Sequence, residues 1–392
     1  MKSVEELEVK DRRVFLRVDF NVPLAATGEI RDDTRIRASL PTIRYLLETG
    51  AKLIIASHLG RPKGKKDPQL SLAPVAKRLA ELVPNKVIMA PDVVGEDVAR
   101  LKRGLGTGEI LLLENVRYYR EEEANDPSFA QKLAEDIAVF VNDAFGSSHR
   151  AHASVVGIAD FVQVKAAGYL MKEEVEQLRQ AIDAPERPYV AILGGAKVSD
   201  KIEIIRSLLA KADAVLIGGA MTYTFLKAQG LDVGRSLAED DQKATALDIL
   251  QKARQRKVDF WLPVDHVLAP ATDAAAANVT VEAPPFPAGL MGVDIGPKTV
   301  DAYARLIASA KTIFWNGPLG VFENPAFAHG TVKIAQAVAA SCAVSIVGGG
   351  DSIAAVKQAG VTDKITHIST GGGASLEFIA NGTLPGIEAL EK

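Results

Sequence analysis

Short apolar, β-branched runs alternate along this chain with longer segments whose apolar residues recur at helical intervals. In the first half, residues 13–19 predict a buried strand, residues 36–48 a helix ending before Gly50, and residues 52–57 the next strand. Ser71 is placed to cap a helix over 72–82, residues 87–89 predict a short strand, and residues 110–113 a stronger one. Asp126-Pro127 reads as a cap followed by a first-turn proline, opening a helix to about Ala138, and residues 139–142 close the series. Residues 168–182 predict one amphipathic helix, with Leu170, Met171, Val175, Leu178 and Ile182 on its apolar face and Pro185 beyond its end. The second half repeats the alternation, with strands at 189–193, 214–217, 312–315, 343–347 and 365–369. The stretches 271–277 and 279–287 read as an irregular excursion.

Strands alternating with helices imply mostly parallel sheets covered on both faces. A length of 392 residues exceeds what one core supports, so the expected fold class is α/β, with two doubly wound, Rossmann-like parallel-sheet domains. Residues 1–167 form the first, 185–372 the second, and the helix over 168–184 is expected to be a stiff connection.

In such sheets ligands sit beyond the carboxyl ends of the strands, so the residues that follow each strand carry the chemistry. In the first half these are Asp19-Phe20-Asn21, with Arg35 opening the next helix, then His58-Leu59-Gly60-Arg61, Glu114-Asn115-Val116-Arg117, and Asn142-Asp143 leading to His149-Arg150-Ala151-His152. Any one of these is an ordinary surface residue; four strand ends agreeing point to an anion receptor. A charge-assisted hydrogen bond contributes about 1.5–3 kcal/mol, and micromolar binding needs about 8, so three to five such contacts hold a compact phosphate or carboxylate substrate.

In the second half glycine replaces arginine: Gly194-Gly195, Gly218-Gly219, Asn316-Gly317, Gly348-Gly349-Gly350 and Gly371-Gly372-Gly373 follow its strands. Glycine turns at helix starts present amides to phosphates and leave room for a flat base. A helix beginning near Val198 would bring Lys197 and, one turn later, Lys201 to the same helix mouth, and Asp351 is available for Mg²⁺. Neither a Gly-x-x-x-x-Gly-Lys-Ser/Thr loop nor a Gly-x-Gly-x-x-Gly fingerprint occurs.

The formal net charge of -3 argues against a nucleic-acid-coating protein and makes any anion site local. Hydrophobic residues at 47% and charged ones at 24% are an ordinary globular balance. The single cysteine, Cys342, lies in an apolar run and is expected to pack in the core. The start of the chain has no apolar signal core and no stretch is long enough to span a bilayer, so a cytoplasmic protein without membrane partners is expected. Residues 121–123 and 63–66 read as solvated charged loops, and His266, His329 and His367 as structural or surface residues without metal-ligand spacing.

A polyanion site on one domain and a nucleotide site on the other suggest phosphoryl transfer, which needs positioning, Mg²⁺ and cations rather than covalent help. Two sites on separate domains would require closure. A nicotinamide dehydrogenase would use similar sheets and glycine turns but lacks its fingerprint here; a binding protein that closes on an anion is the other alternative.

Taken together, Val18-Asp19-Phe20-Asn21-Val22-Pro23, Ser57-His58-Leu59-Gly60-Arg61-Pro62, Leu113-Glu114-Asn115-Val116-Arg117, Asn142-Asp143-Ala144-Phe145-Gly146, the run from Gly194 to Lys201, Trp315-Asn316-Gly317-Pro318, Gly348-Gly349-Gly350-Asp351-Ser352 and Thr370-Gly371-Gly372-Gly373-Ala374-Ser375 resemble the phosphoglycerate kinase family over nearly the whole chain. The resemblance implies direct in-line transfer between 1,3-bisphosphoglycerate and ADP, giving 3-phosphoglycerate and ATP, in a closed interdomain cleft of a monomer. It implies that Asp19, Phe20, Asn21, Arg35, His58, Leu59, Gly60, Arg61, Arg117 and Arg150 hold the phosphoglycerate. Arg35, Lys197, Gly371 and Gly372 would accompany the moving phosphoryl group. Gly195, Lys197, Lys201, Gly219, Gly292, Asn316, Glu323, Gly349, Gly350, Asp351 and Ser352 would bind nucleotide, with Mg²⁺ held mainly by the nucleotide phosphates and touched by Asp351. It also implies that residues from about Gly373 return to the first domain. Ser147-Ser148 and Ile379-Ala380-Asn381 are unusual for the family and touch none of these positions.

Overall fold

A computed structural model of the chain describes residues 1–181, 183–275 and 279–392. The chain divides into two compact units, Met1–Glu176 with Thr383–Lys392, and Gln177–Gly382.

The first unit is built on six parallel strands: β1 (Arg13–Arg17), β2 (Lys52–Ala56), β3 (Val87–Met89), β4 (Ile110–Leu112), β5 (Val139–Asn142) and β6 (Val164–Ala167), in the order β3-β4-β2-β1-β5-β6. The central strands are buried on both faces, as their continuous apolar runs require. The expected helix over 36–48 is two, Thr34–Ala38 and Leu40–Glu48, because Pro41 in the first turn restarts the helix after Ser39. The sequence series does not close at β5. The edge strand β6 pairs with it in parallel, half-exposed and without an apolar run to announce it.

The helix Tyr169–Gln180 buries Met171, Val175 and Leu178, and the division between units falls inside it; Ile182 lies outside the described residues. Asp143 holds the N-terminus of this helix, accepting from the Met171 amide at 3.1 Å. Gly168 allows this approach: a Cβ there would stand 2.2 Å from the Asp143 carboxylate.

The second unit carries β7 (Tyr189–Leu193), β8 (Ala214–Ile217), β9 (Asp259–Trp261), β10 (His266–Ala269), β11 (Thr280–Glu282), β12 (Met291–Ile295), β13 (Thr312–Asn316), β14 (Val344–Gly348) and β15 (His367–Ser369). Six of them make a second parallel sheet, in the order β15-β14-β13-β7-β8-β9. The expected irregular excursion instead contains β11, which joins β10 and β12 in a small antiparallel sheet. Residues 276–278 of that stretch lie outside the described residues.

Two further expectations are corrected. The helix Gly373–Asn381 belongs to the second unit, where Ser207 Oγ and Lys211 Nζ donate to the Ile379 carbonyl at 3.0 and 2.8 Å, so the return to the first unit begins only at Thr383. Cys342 is exposed rather than packed in the core, because the helix His329–Ala340 ends just before it and β14 begins just after. Among the described residues, no helix is long and apolar enough to cross a membrane.

Candidate active site

In the first unit, the carboxyl ends of β1, β2, β4 and β5 bring the sequence-predicted residues to one edge of one sheet. Asp19 Oδ2 accepts from Arg35 Nη1 at 2.5 Å, Asp19 Oδ1 accepts from the Asn21 amide at 3.3 Å, and His58 Nδ1 stands 3.9 Å from the same oxygen. Burial pushes the Asp19 carboxyl up, but His58, Arg35, Arg17 and the Asn21 amide outweigh it and hold the group below the usual carboxylate range. His58 is driven well below an ordinary imidazole by burial and by Arg17, Arg117 and Arg35, against the pull of Asp19. The ring is therefore neutral near pH 7, and the arginines carry the positive charge.

Backbone turns at this edge are tied by side-chain amides. Asn21 Oδ1 accepts from the Gly60 amide at 2.8 Å, and Asn115 bridges the Leu59 carbonyl at 2.7 Å and the Arg117 amide at 3.1 Å. Arg117 Nη1 donates to the Gly60 carbonyl at 3.0 Å. Burial, together with Arg17 and Arg150, brings the Arg117 guanidinium down to about 10, so it still carries its charge at neutral pH. Arg61 and Arg150 are exposed, and Arg150 Nε lies 3.1 Å from His149 Nε2. The side chains of Phe20 and Leu59 belong to the core, which leaves only their backbone for a ligand.

Sequence reading missed the layer beneath this edge. Arg17, at the end of β1, is fully buried and donates through Nε to Ser154 Oγ at 2.8 Å, while Ser154 Oγ donates to Glu122 Oε1 at 2.6 Å. Glu122, expected in a solvated loop, is fully buried in the short helix Arg120–Glu123. Its burial depends on residues about thirty positions away, a relation the charge run alone does not contain.

In the second unit, the glycine turns line the carboxyl edge of the second sheet. Gly194 is required by a close approach: a Cβ there would lie 2.0 Å from the Pro318 carbonyl oxygen. Beyond it the chain makes a 3-10 turn, Ser199–Lys201, and the α-helix starts only at Ile202, so the expected helix mouth at Val198 is absent. Lys197 is exposed, whereas Lys201 turns inward and donates to Asn316 Oδ1. Burial brings the Lys201 ammonium down to about 8, with Asp200 and Asp351 pulling it back up.

Asn316 Nδ2 donates to the Gly348 carbonyl at 2.6 Å, and Ser352 Oγ accepts from the Gly317 amide at 2.6 Å, locking the ends of β13 and β14 together. Gly349 and Gly350 open the helix Gly350–Gln358, whose first turn carries the exposed Asp351. Gly371 donates its amide to Ser369 Oγ at 3.2 Å, and Gly372, at φ +56, precedes the helix Gly373–Asn381. Gly219 sits over the Gly195 carbonyl at φ +68. Gly292 lies in β12 against the Tyr223 hydroxyl, and Glu323 is exposed in the segment after β13.

The phosphoglycerate kinase family model matches residues 4–382. The chain belongs to the phosphoglycerate kinase family. It is 57% identical to the phosphoglycerate kinase of Anaeromyxobacter dehalogenans strain 2CP-C, with all of both chains covered, and 58% identical to that of Acidobacterium capsulatum, covering 99% of this chain and 98% of the relative. The phosphoglycerate kinase structure from Coxiella burnetii superposes with a TM-score of 0.89 at 41% identity, covering 99% of this chain and 98% of the other. That from Pyrococcus horikoshii OT3 gives 0.81 at 34% identity, covering 100% and 98%. The chain is thus a phosphotransferase with two Rossmann-like α/β units, and phosphoglycerate kinases use ATP and ADP as substrates.

Proposed function

We propose that the enzyme catalyses reversible phosphoryl transfer between 1,3-bisphosphoglycerate and ADP, giving 3-phosphoglycerate and ATP. The observation that carries this reading is the convergence of Asp19, Asn21, Arg35, His58, Arg61, Arg117 and Arg150 at the ends of four strands of one sheet. Such a fringe suits a small molecule with a phosphate at one end and a carboxylate at the other. Phe20, Leu59 and Gly60 shape its backbone.

The nucleotide lies along the second edge, with Lys201, Asn316, Ser352 and the amides of Gly195, Gly349 and Gly350 at its phosphates, and Gly219, Gly292 and Glu323 toward the nucleoside. In the direction of ATP use, a carboxylate oxygen of 3-phosphoglycerate forms the new bond to the γ-phosphorus, and the bond to the leaving ADP oxygen breaks. The acceptor is already ionised near neutral pH, so no general base is required, and the neutral His58 acts only as a hydrogen-bonding partner. Arg35, Lys197 and the amides of Gly371 and Gly372 stabilise the charge on the moving group.

Asp351, exposed in the first turn of the helix Gly350–Gln358, would be the protein group that touches Mg²⁺. Mg²⁺ would be bound by this one carboxylate and mainly by substrate phosphates. When bound, the ion would neutralise charge on the phosphate oxygens. The reading includes a monomer working in the cytoplasm, without nucleic-acid or membrane partners.

A coupled assay with 3-phosphoglycerate and Mg·ATP tests it. ADP should form only when both substrates and Mg²⁺ are present; ADP release without 3-phosphoglycerate, or none with it, would overturn the assignment.

A further inference from the structure

The carboxylate of Glu122 has no role in the chemistry above, yet it lies in the field of Arg17 and Arg117. It accepts from the Ser154 hydroxyl at 2.6 Å through Oε1 and from the Ser154 amide at 2.9 Å through Oε2, and its carbonyl accepts from the Ala153 amide at 2.9 Å. His152 Nδ1 is 3.9 Å from Oε1. Ser154 Oγ in turn accepts from Arg17 Nε, and Arg17 Nη2 lies 3.4 Å from His58 Nδ1.

A buried carboxylate thus fastens the segment that follows Arg150 and is linked through Ser154 to Arg17, whose guanidinium also reaches the ring of His58. A buried anion kept at this cost needs a partner that uses its charge. Here the partner is the buried Arg17 guanidinium, reached through Ser154.

We propose that Glu122 is a positioning residue for the phosphoglycerate site: it fixes the Arg150 segment and, by way of Ser154 and Arg17, the orientation of His58. The inference rests on the reading of that edge as the phosphoglycerate site.

Glu122→Gln keeps the volume but offers one acceptor where Ser154 presents two donors, so one donor is left facing an amide N–H. The expected result is a KM for 3-phosphoglycerate raised about tenfold, the loss of one charge-assisted hydrogen bond, with the KM for Mg·ATP unchanged. Ser154→Ala breaks the link to Arg17 while keeping the buried carboxylate, and is expected to move the same KM in the same direction; should Glu122→Gln not fold, this variant decides the matter. An unchanged KM for 3-phosphoglycerate in a folded variant overturns the inference, as does an equal rise in both KM values, which would mean general loosening. Arg150→Ala separates the two levels. If it raises the KM for 3-phosphoglycerate and the Glu122 and Ser154 variants do not, only the positioning role fails; if it leaves that KM unchanged, the site reading fails and the inference with it.

Discussion

The Lys201 ammonium donates to the side-chain oxygen of Asn316, and the Asn316 amide donates onward to the Gly348 carbonyl at 2.6 Å. One side chain therefore orients a half-buried cation and ties the ends of two neighbouring strands. Asn316→Ala leaves Lys201 without that acceptor and Gly348 without its donor. Nucleotide affinity is expected to fall about tenfold, the worth of one charge-assisted hydrogen bond, as read by calorimetric titration of ADP. An unchanged Kd would remove the pair from the nucleotide site.

The same cation gives a pH dependence. With its pKa at about 8 in the free protein, Lys201 loses its charge as pH rises through that value, and an anionic ligand binds the protonated form. ADP affinity should be flat from neutrality to about pH 7.5 and then weaken toward pH 9. Lys201→Met should abolish the slope; a slope that survives in this variant belongs to another group.

Lys197 stands in contrast: four residues earlier, it is exposed beyond the glycine turn. A cation that meets the phosphoryl group only as charge develops contributes to the transition state rather than to nucleotide binding. Lys197→Ala is expected to lower kcat by about 10²–10³-fold, the cost of removing one preorganised charge-stabilising donor, while the Kd for ADP changes little. Equal losses in both would assign Lys197 to plain nucleotide binding.

The difference between these two lysines shows where sequence reading stops. The strands were legible because apolar β-branched runs such as residues 189–193 and 214–217 report burial on both faces, and the residues after them were legible because the sheet's own geometry puts function there. Lys201 and Asn316 are 115 positions apart, and no periodicity links them. The 3-10 turn at Ser199–Lys201 breaks the helical spacing from which a shared mouth was expected. Glu122 and Cys342 exchanged their expected environments for different reasons: the charge run packs onto a distant loop, whereas the apolar run is interrupted by a local turn. β6 and β11 were not legible because half-exposed edge strands need no continuous apolar run.

Two glycines of the second edge should respond differently to alanine. At Gly194 the added methyl would meet the Pro318 oxygen at 2.0 Å, so the turn must move, at about 1–3 kcal/mol for overpacking. Gly194→Ala should lower the melting temperature and weaken ADP binding together. At Gly372 nothing lies within 4 Å of a Cβ, but φ is +56 with ψ -117, a conformation that strains an L residue. Gly372→Ala should leave ADP affinity near wild type and lower kcat, because the amide that reorients is the one proposed to stabilise the moving phosphoryl group. A kcat equal to wild type would exclude that amide from the reaction.

Asp294, in β12, is the clearest source of pH-dependent stability in the second unit. Its oxygens accept from the Gly330 amide at 2.6 Å and the Ile295 amide at 2.9 Å, yet burial outweighs both and raises the carboxyl to about 7. In the unfolded chain the group titrates near 3.8, so between those values the folded state holds a proton that the unfolded state has released. Its contribution is therefore greatest below about pH 4 and declines as pH rises toward 7, by at most about 1.4 kcal/mol per pH unit, beyond which it is constant. Both tryptophans, Trp261 and Trp315, lie in this unit, so their fluorescence in urea reports its unfolding. The stability of wild type minus that of Asp294→Asn is expected to fall between pH 4 and 7 and to level off above it. A difference that rises across this window would mean that the two amides, not burial, govern the carboxyl, and that Asp294 strengthens the start of the helix His329–Ala340 as an anion.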